Sequence, residues 1–415
     1  MARSRLARLR SLDKRTRRAA ATVKVLAALS WPERVVSGFL DDWQKNKRRL
    51  PVVKVTTKKL TPAKTELEAV IAEASGDDPN ERYVRDTAQS YLLAAQMLEC
   101  RGSALFTELS RAIYGHPRDT LPGGALTHLE AAQRLLDNTS ALAAAGVVHE
   151  EDVCITAEAV RDIMAADFAK FFGASAPAIT IDPKLASKAA AGAKKVRVRG
   201  MTCFSSLDIA QLREHEGYVH AATALNGWEQ PNLSLMRMSS PRTTKTQEGL
   251  ATVAELITRA IDIGRLRRIA LRTIAIDMAL EGADFLQVFE YFVESGQSPD
   301  ESVRSAMRVF RSGHVAGGIA FTKDVVYLAG LIEVHTFLRK AIETGRPHLI
   351  GRLFAGRVTL GDVIQLGDSF DAGDLAGPRF VPEWATDLPR LTAYLAFNAL
   401  VDLVDLRQLD LERLG

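Results

Sequence analysis

The sequence predicts a predominantly helical α+β fold with one small β-sheet, and three observations carry that expectation. Apolar residues recur at three- and four-residue steps through most of the chain, which is the helical period. Short β-rich segments occur at 50–57 and in three places between 153 and 198. From about residue 205 to Gly313 the pattern is almost wholly helical. The chain has 415 residues, 47% hydrophobic and 25% charged, which is enough to bury a sizeable core within an ordinary globular composition. Its length allows two or three domains, or one large domain with an extension.

Residues 2–30 read as helix, with Leu6, Leu9 and Leu12 at three-residue steps before an alanine-rich stretch. Trp31-Pro32 breaks it, and Pro32 suits the first turn of a second helix running to about Lys45. The segment 50–57 alternates and is rich in valine and threonine, so a short strand is expected. Residues 64–75, 80–114 and 125–145 carry helical patterning, the second stopped by Tyr114-Gly115-His116-Pro117. Further strand candidates are 153–156, 178–181 and 196–198. A helix over 157–172 separates the first two, and Ser175-Ala176-Pro177 forms a joint. The alanine-rich 184–195 reads as a short helix. Beyond Gly317-Gly318 helices resume near Asp324, with loops around Gly367, Gly373 and Pro378.

The formal net charge of +4 hides an asymmetry. Residues 1–60 hold 17 Lys and Arg against 4 Asp and Glu, a surplus of +13, and the remainder carries −9. A basic arm on a mildly acidic body suits an anionic partner (acidic protein, nucleic acid or membrane surface) or is a solvated helix with no partner. No aromatic residue interleaves the arginines before Trp31, so nucleic acid is not the expected partner. No apolar run approaches the ~20 residues needed to span a bilayer. The basic N-terminus lacks the apolar stretch and cleavage site of a secretory signal, and Asp13 with the shortage of serine speaks against an organellar presequence. Cys100, Cys154 and Cys203 are odd in number and form no Cys-x-x-Cys pair, so all three are read as reduced thiols in a cytoplasmic protein. Cys203 precedes His215 closely enough to face it, but reads as a small core residue.

The residues that carry chemistry lie between 215 and 248. His215, Glu216 and His220 form a His-Glu-x-x-x-His run, and Glu248 follows in Thr-Gln-Glu-Gly-Leu-Ala. Two imidazoles and a later carboxylate can hold one zinc ion and leave a position open for water. Glu216, beside the first imidazole, can take a proton from that water. Ser205 or Ser206 can cap the helix that carries the run. On an ideal α-helix residues five apart point roughly 140° away from each other, at ~100° per residue. His215 and His220 can share an ion only if the turn between them is widened or broken. A π-type turn reduces the separation to roughly 50°, and Gly217 lowers the resistance to it. Glu248 is expected to open a second helix, with capping-box spacing over 244–247 and a buried stripe of Leu250, Val253, Leu256 and Ile257. Asn226-Gly227 is expected to turn the chain between the two. The same short pattern also suits a buried polar pair on one helix and a capping glutamate on another.

The run His-Glu-Gly-Tyr-Val-His at 215–220, with Leu225-Asn226-Gly227, Gln230-Pro231 and Thr-Gln-Glu-Gly-Leu-Ala at 246–251, resembles the QEGLA-motif family. Its bacterial members are labelled flavohaemoglobin expression-modulating proteins, and its animal relatives are the microtubule-associated tyrosine carboxypeptidases. Glu281-Gly282-Ala283-Asp284, Arg308-Val309-Phe310-Arg311, Phe321-Thr322-Lys323-Asp324 with Tyr327, and the stretch 110–115 extend the resemblance, which runs from about Trp31 to the C-terminus. It implies a zincin-like metallopeptidase, with His215, His220 and Glu248 as zinc ligands and Glu216 as the catalytic glutamate. It also implies release of a C-terminal Tyr or Phe from a peptide or protein. Many zincins with a glutamate ligand place an aspartate four residues after it. Here that position is Thr252, so the group that orients the histidines is open among Asp208, Glu255 and Asp324.

A carboxypeptidase also needs a cation for the terminal carboxylate. Lys323, Arg308 and Arg311 are the candidates, and the family motifs favour Lys323. Tyr327, one helical turn beyond Lys323, can share its face. Its hydroxyl can stabilise the tetrahedral oxyanion, or the residue is a tyrosine at the edge of the core. His314 lies in a glycine-rich loop, His335 on an apolar helix, and the remaining histidines form no constellation. The expected organisation is a basic helical arm over 1–50, a helical N-terminal part of the catalytic unit over 51–175, and a zincin-like metal-binding part over 176–415. Two other readings stay open: a regulatory or scaffold protein that keeps the fold and acts by binding, and a metal-dependent hydrolase of another amide.

Overall fold

The computed structural model describes residues 2–74, 76–124, 126–144, 154–183, 185 and 187–401. Among them the N-terminal third is helical: α1 (Ala2–Ala20), α2 (Val25–Ala28), α3 (Glu33–Gln44), α4 (Thr61–Glu73), α5 (Pro79–Glu99), α6 (Ala104–Tyr114), α7 (His128–Ala144) and α8 (Ala157–Phe172). Three short strands follow, β1 (Ala178–Asp182), β2 (Ala189–Ala191) and β3 (Lys195–Arg199). Then come α9 (Ser206–Leu212), a π-helix (Arg213–Ala221) and α10 (Ala222–Trp228), which run on as one distorted helix. The rest is α11 (Thr244–Ile257), α12 (Ile263–Leu280), α13 (Phe285–Glu294), α14 (Pro299–Val309), α15 (Val325–Glu343) and five short C-terminal helices ending with one at Leu388–Val401.

The sheet has the order β1-β3-β2, with β1 parallel and β2 antiparallel to β3. Val196 and Val198 of the central strand are fully buried, and Lys195 and Arg197 between them face out, the period of two that a half-covered sheet needs. The chain packs around two apolar clusters. The larger runs from Leu9 to Leu395, and the smaller joins α8, the sheet, α9 and Phe380. The π-helix lies between them, with Val219 in the first and Ala221 in the second.

Several expectations need correction. The first helix stops at Ala20, and the 80–114 helix is two, divided at Gly102, whose φ of +79° suits glycine. Pro32 lies just outside α3 with extended ψ, not in its first turn. The 50–57 segment is extended but has no strand partner. Within 184–195, Ala189–Ala191 form β2 rather than part of a helix, because β3 offers them a ladder; Lys184 and Ala186 lie outside the described residues. Val153 lies outside them too, and Ile155 makes a single bridge to Phe204. Cys154 and Cys203 are joined in a disulfide, which overturns the reading of three reduced thiols; only Cys100 is free. That bridge takes both residues out of any core or metal role.

The N-terminal helix is packed, not loose. Leu9 and Leu12 of α1 are buried, while Arg5 meets Asp78 at 2.5 Å and Arg15 meets Glu66 and Glu73, each at 2.6 Å. Buried Asp13 accepts the Ser234 hydroxyl at 2.5 Å and the Leu235 N–H at 2.7 Å, which anchors the connector between α10 and α11. No helix among the described residues is long and apolar enough to cross a membrane.

Candidate metal centre

Ser205 caps α9 in a reciprocal capping box with Asp208. Asp208 is therefore occupied at the helix start and by Lys188 at 2.6 Å. Seven residues on, the backbone widens into the π-helix, as the five-residue histidine spacing requires. Gly217 has a second reason to be glycine: any side chain there would collide with the ring of buried Phe168 on α8. The widened turn turns both imidazoles to one side, with ring centroids 4.7 Å apart.

Glu248 arrives from α11. No side chain caps that helix, so the expected capping box at 244–247 is absent, and Asn226-Gly227 sits inside α10 instead of turning the chain. What places Glu248 is the crossing of α11 with α15. Gly249 and Gly330 lie in backbone contact there, so a Cβ on either would strike the opposite helix. One donor atom from each of His215, His220 and Glu248 lies within 4.8 Å of the others. Glu248 Oε2 is 3.4 Å from His215 Nε2 and 3.7 Å from His220 Nε2. Donors bonded tetrahedrally at 2.0–2.2 Å to one zinc ion stand about 3.4 Å apart, so both separations from Glu248 suit such an ion.

The groups behind the ligands are equally definite. His215 Nδ1 donates to Glu255 Oε1 at 2.6 Å, which leaves Nε2 to face Glu248. Glu255 is fully buried and also receives Arg265 Nε at 3.2 Å and Gln211 Nε2 at 3.1 Å. Of the three candidates for orienting a histidine, Glu255 is the one in contact. Burial alone would raise the Glu255 pKa, but Arg265 and then the His215 bond bring it down to about 2. Burial alone would lower that of His215, but its bonds to Glu248 and Glu255 push it up to about 10. A divalent cation would take the place of that proton. His220 is only partly buried, and desolvation shifts it the other way, below its ordinary value. Its Nδ1 lies 3.2 Å from Arg357 Nη1, and its carbonyl receives Arg357 Nη2 at 2.9 Å. A guanidinium only donates, so this contact favours the proton on Nε2, whereas coordination through Nε2 calls for it on Nδ1. Gln247 Oε1 and the His220 carbonyl hold Arg357 without that contact.

Glu216 is half-buried beside His215 and has no hydrogen-bond or ion-pair partner among the described residues. Its carboxylate is free to engage water or substrate. Lys323 donates to Glu248 Oε1 at 3.2 Å, so its ammonium holds a ligand carboxylate. Burial would lower the Lys323 pKa, but Tyr327 and Glu248 raise it. Arg308 binds Asp324 with both arms and reaches the Tyr327 hydroxyl at 3.4 Å. The Tyr327 ring has Lys323 at 4.9 Å, Arg272 and Arg308 at 5.9 Å and Arg265 at 6.0 Å from its centroid. Arg311 differs from the other cations: its guanidinium has no acceptor among the described residues, and its Nε is buried. Burial, with repulsion from Arg308, lowers its pKa to about 10. Arg272, 3.8 Å from Asp324, is lowered to about 9 for the same two reasons. His314 and His335 lie outside the ligand cluster.

Arg265, Arg272 and Arg357 were not anticipated from the sequence. Arg265 and Arg272 stand two helical turns apart on α12, a spacing that marks one face. Arg357 lies in a loop, where no spacing marks it.

The sequence profile of the family described as microtubule-associated tyrosine carboxypeptidase matches residues 39–402. None of the curated proteins matches the chain. The profile spans α4 to α15, and with them both histidines, Glu248, Lys323 and Tyr327. The chain belongs to the microtubule-associated tyrosine carboxypeptidase family.

Proposed function

We propose that the chain is a zincin-like, one-zinc metallocarboxypeptidase that removes a C-terminal Tyr or Phe from a peptide or protein. The observation that carries the reading is the convergence of His215, His220 and Glu248 donor atoms within 4.8 Å, with an unpartnered carboxylate, Glu216, beside them. Zinc held by those three residues would supply Lewis acidity to the scissile carbonyl and the attacking water. Glu216 accepts the proton of that water and returns it to the leaving amine, a role worth roughly 10²–10⁴ in rate. Glu255 keeps the His215 proton on Nδ1. The Tyr327 hydroxyl, held toward Arg308, donates to the oxyanion.

Arg311 is the favoured receptor for the terminal carboxylate, because Lys323 and Arg308 already hold Glu248 and Asp324. A guanidinium with no internal acceptor can give a carboxylate two parallel hydrogen bonds. Arg272 stands close enough to Arg308 and Asp324 to add charge on that side.

Two measurements test the reading together. Metal analysis of the purified protein should find one zinc per chain, lost in the His215→Ala, His220→Ala double variant. Peptides ending in Tyr should be trimmed with a free C-terminus and resist when amidated. Equal rates on both forms would point to hydrolysis of another amide, and a metal-free protein would point to a binding role. Glu216→Gln should keep the metal and lose turnover.

A further inference from the structure

Residues 50–59 carry the alternation of a strand without a partner to pair with. Pro51 is buried and Val53 half-buried, whereas Val52 is 83% exposed and Lys54 and Thr56 are exposed. Over 51–54 side chains thus alternate in and out, as on a sheet surface, and from Val55 to Lys59 all are exposed. Val55 fixes the segment to the body by packing on Gly313, where a side chain would collide with it. Among the described residues, no backbone N–H from Val52 to Lys59 finds an acceptor. The one carbonyl of this stretch in use is that of Thr56, which receives Arg101 Nη1 at 3.3 Å. An open edge of this length is a template for another extended chain.

The charge of the segment says which kind of chain. Residues 45–59 contain seven Lys and Arg and no acidic residue. Lys47 and Arg48 reach carboxylates at 3.7 and 3.5 Å, but Lys45, Arg49, Lys54, Lys58 and Lys59 have no such partner among the described residues. At its far end the segment borders a cavity of about 440 Å³ whose charged lining is Arg15, Arg18, Lys58, Lys59 and one carboxylate, Glu66. Arg15 is tied to Glu66 and Glu73, whereas Arg18, Lys58 and Lys59 are unpaired. No aromatic ring stands among these cations to stack a base, since Trp43 is capped by Arg48 at 3.5 Å and packs on Phe289.

We propose that residues 50–59 are a docking strand for an acidic peptide in extended conformation, which pairs backbone to backbone with the segment and places a side chain in the cavity beside Lys58 and Lys59. Main-chain hydrogen bonds supply affinity in this mode, and the cations select acidic sequences. The proposal does not depend on the reaction at the metal centre.

Fluorescence anisotropy with the full chain tests it. The probe is a fluorescein-labelled decapeptide of alternating glutamate and valine. Three comparators are the same peptide methylated at every backbone nitrogen, its glutamine-for-glutamate analogue, and an oligothymidylate of equal charge. The acidic peptide should bind, and methylation should weaken it about tenfold or more by removing the ladder donors. The glutamine analogue and the Lys58→Glu, Lys59→Glu double variant should each show a comparable loss, with the variant's unfolding midpoint unchanged. Equal binding of the methylated peptide, tighter binding of the oligothymidylate, or full binding by the folded double variant would overturn the proposal.

Discussion

Glutamine in place of Glu255 keeps the shape of that side chain and removes its charge. The carboxylate sits in full burial, with one oxygen serving His215 Nδ1 at 2.6 Å and Gln211 Nε2 at 3.1 Å, and the other serving Arg265 Nε at 3.2 Å. Arg265 Nη2 also reaches the first oxygen at 3.3 Å, and an amide has one acceptor oxygen where these donors use two. If that oxygen faces His215, the amide nitrogen faces Arg265, and a buried guanidinium loses its counter-charge. If the amide flips, its N–H groups face Nδ1 and the imidazole must move its proton to Nε2, where it blocks coordination. Loss of such an outer partner weakens metal binding about 10- to 100-fold, or about 1.4–2.7 kcal/mol. Breaking the buried pair with Arg265 should also destabilise the fold by about 3–5 kcal/mol. Because Glu255 is depressed from 4.5 to about 2, its stabilisation is present above pH 4.5 and lost as pH falls toward 2. The variant should therefore show a shallower acid dependence in that window. Competition titration against a chromogenic zinc chelator measures the first effect, and urea unfolding at pH 7 and pH 3 the second. A variant that binds zinc within twofold of the parent would refute the claim that Glu255 fixes the tautomer of His215.

Arg311→Met should raise the unfolding temperature, by removing a buried cation without an acceptor, while lowering kcat/KM on free-terminus peptides by about 2–5 kcal/mol, roughly 30-fold or more; amidated peptides should show no such change. Zinc affinity should rise with pH between about 6.5 and 9, because His215, pushed up to about 10, must release a proton to bind, and the proton released can be counted by calorimetry in buffers of different ionisation enthalpy. The metal-free protein has the opposite dependence: protonated His215 stabilises it fully below pH 6.5, and that contribution is lost as pH rises through 10. The Cys154–Cys203 bridge closes a separation of 49 residues, for which loop-closure entropy gives about 4 kcal/mol. Thiol titration of the denatured protein should thus find one free cysteine before reduction and three after it, with a lower unfolding midpoint in dithiothreitol.

The convergence of His215 and His220 was legible in the sequence because it is set locally. Histidines five residues apart face one side only where the turn between them is widened or broken, and Arg213–Ala221 takes the widened form. Glu248 was legible through the pattern of the helix that carries it, but it stands in the second turn of α11 rather than opening it, and what positions it is the Gly249–Gly330 contact between α11 and α15, a long-range packing event with no local signature. The Glu255–Arg265 and Arg357–His220 contacts were hidden for the same reason: each joins elements whose approach is decided by the whole core. The strand expected at 50–57 failed instructively. Its residues alternate as a strand should, but a strand is a property of two segments, and the described chain offers no second one. Conversely, Ala189–Ala191 carry helical propensity, yet β3 beside them offers hydrogen bonds and they take a strand.

The balance of charge around Tyr327 bears on what the site is built to receive. Arg265, Arg272, Arg308, Arg311 and Lys323 surround it, and the carboxylates that answer them are Glu248, Glu255 and Asp324. Glu248 and Glu255 also serve His215, so their charge is shared. Burial drives Arg272 down to about 9 and Arg311 to about 10, which means that the fold holds both cations against a desolvation cost. A stability-driven arrangement would replace at least one of them by an apolar side chain of similar volume. Their retention is accounted for if an anion enters beside them: a carboxylate between Arg311 and Arg272 would receive charge-assisted hydrogen bonds where water is excluded, and the groups that destabilise the free protein would then become the ones that hold the substrate.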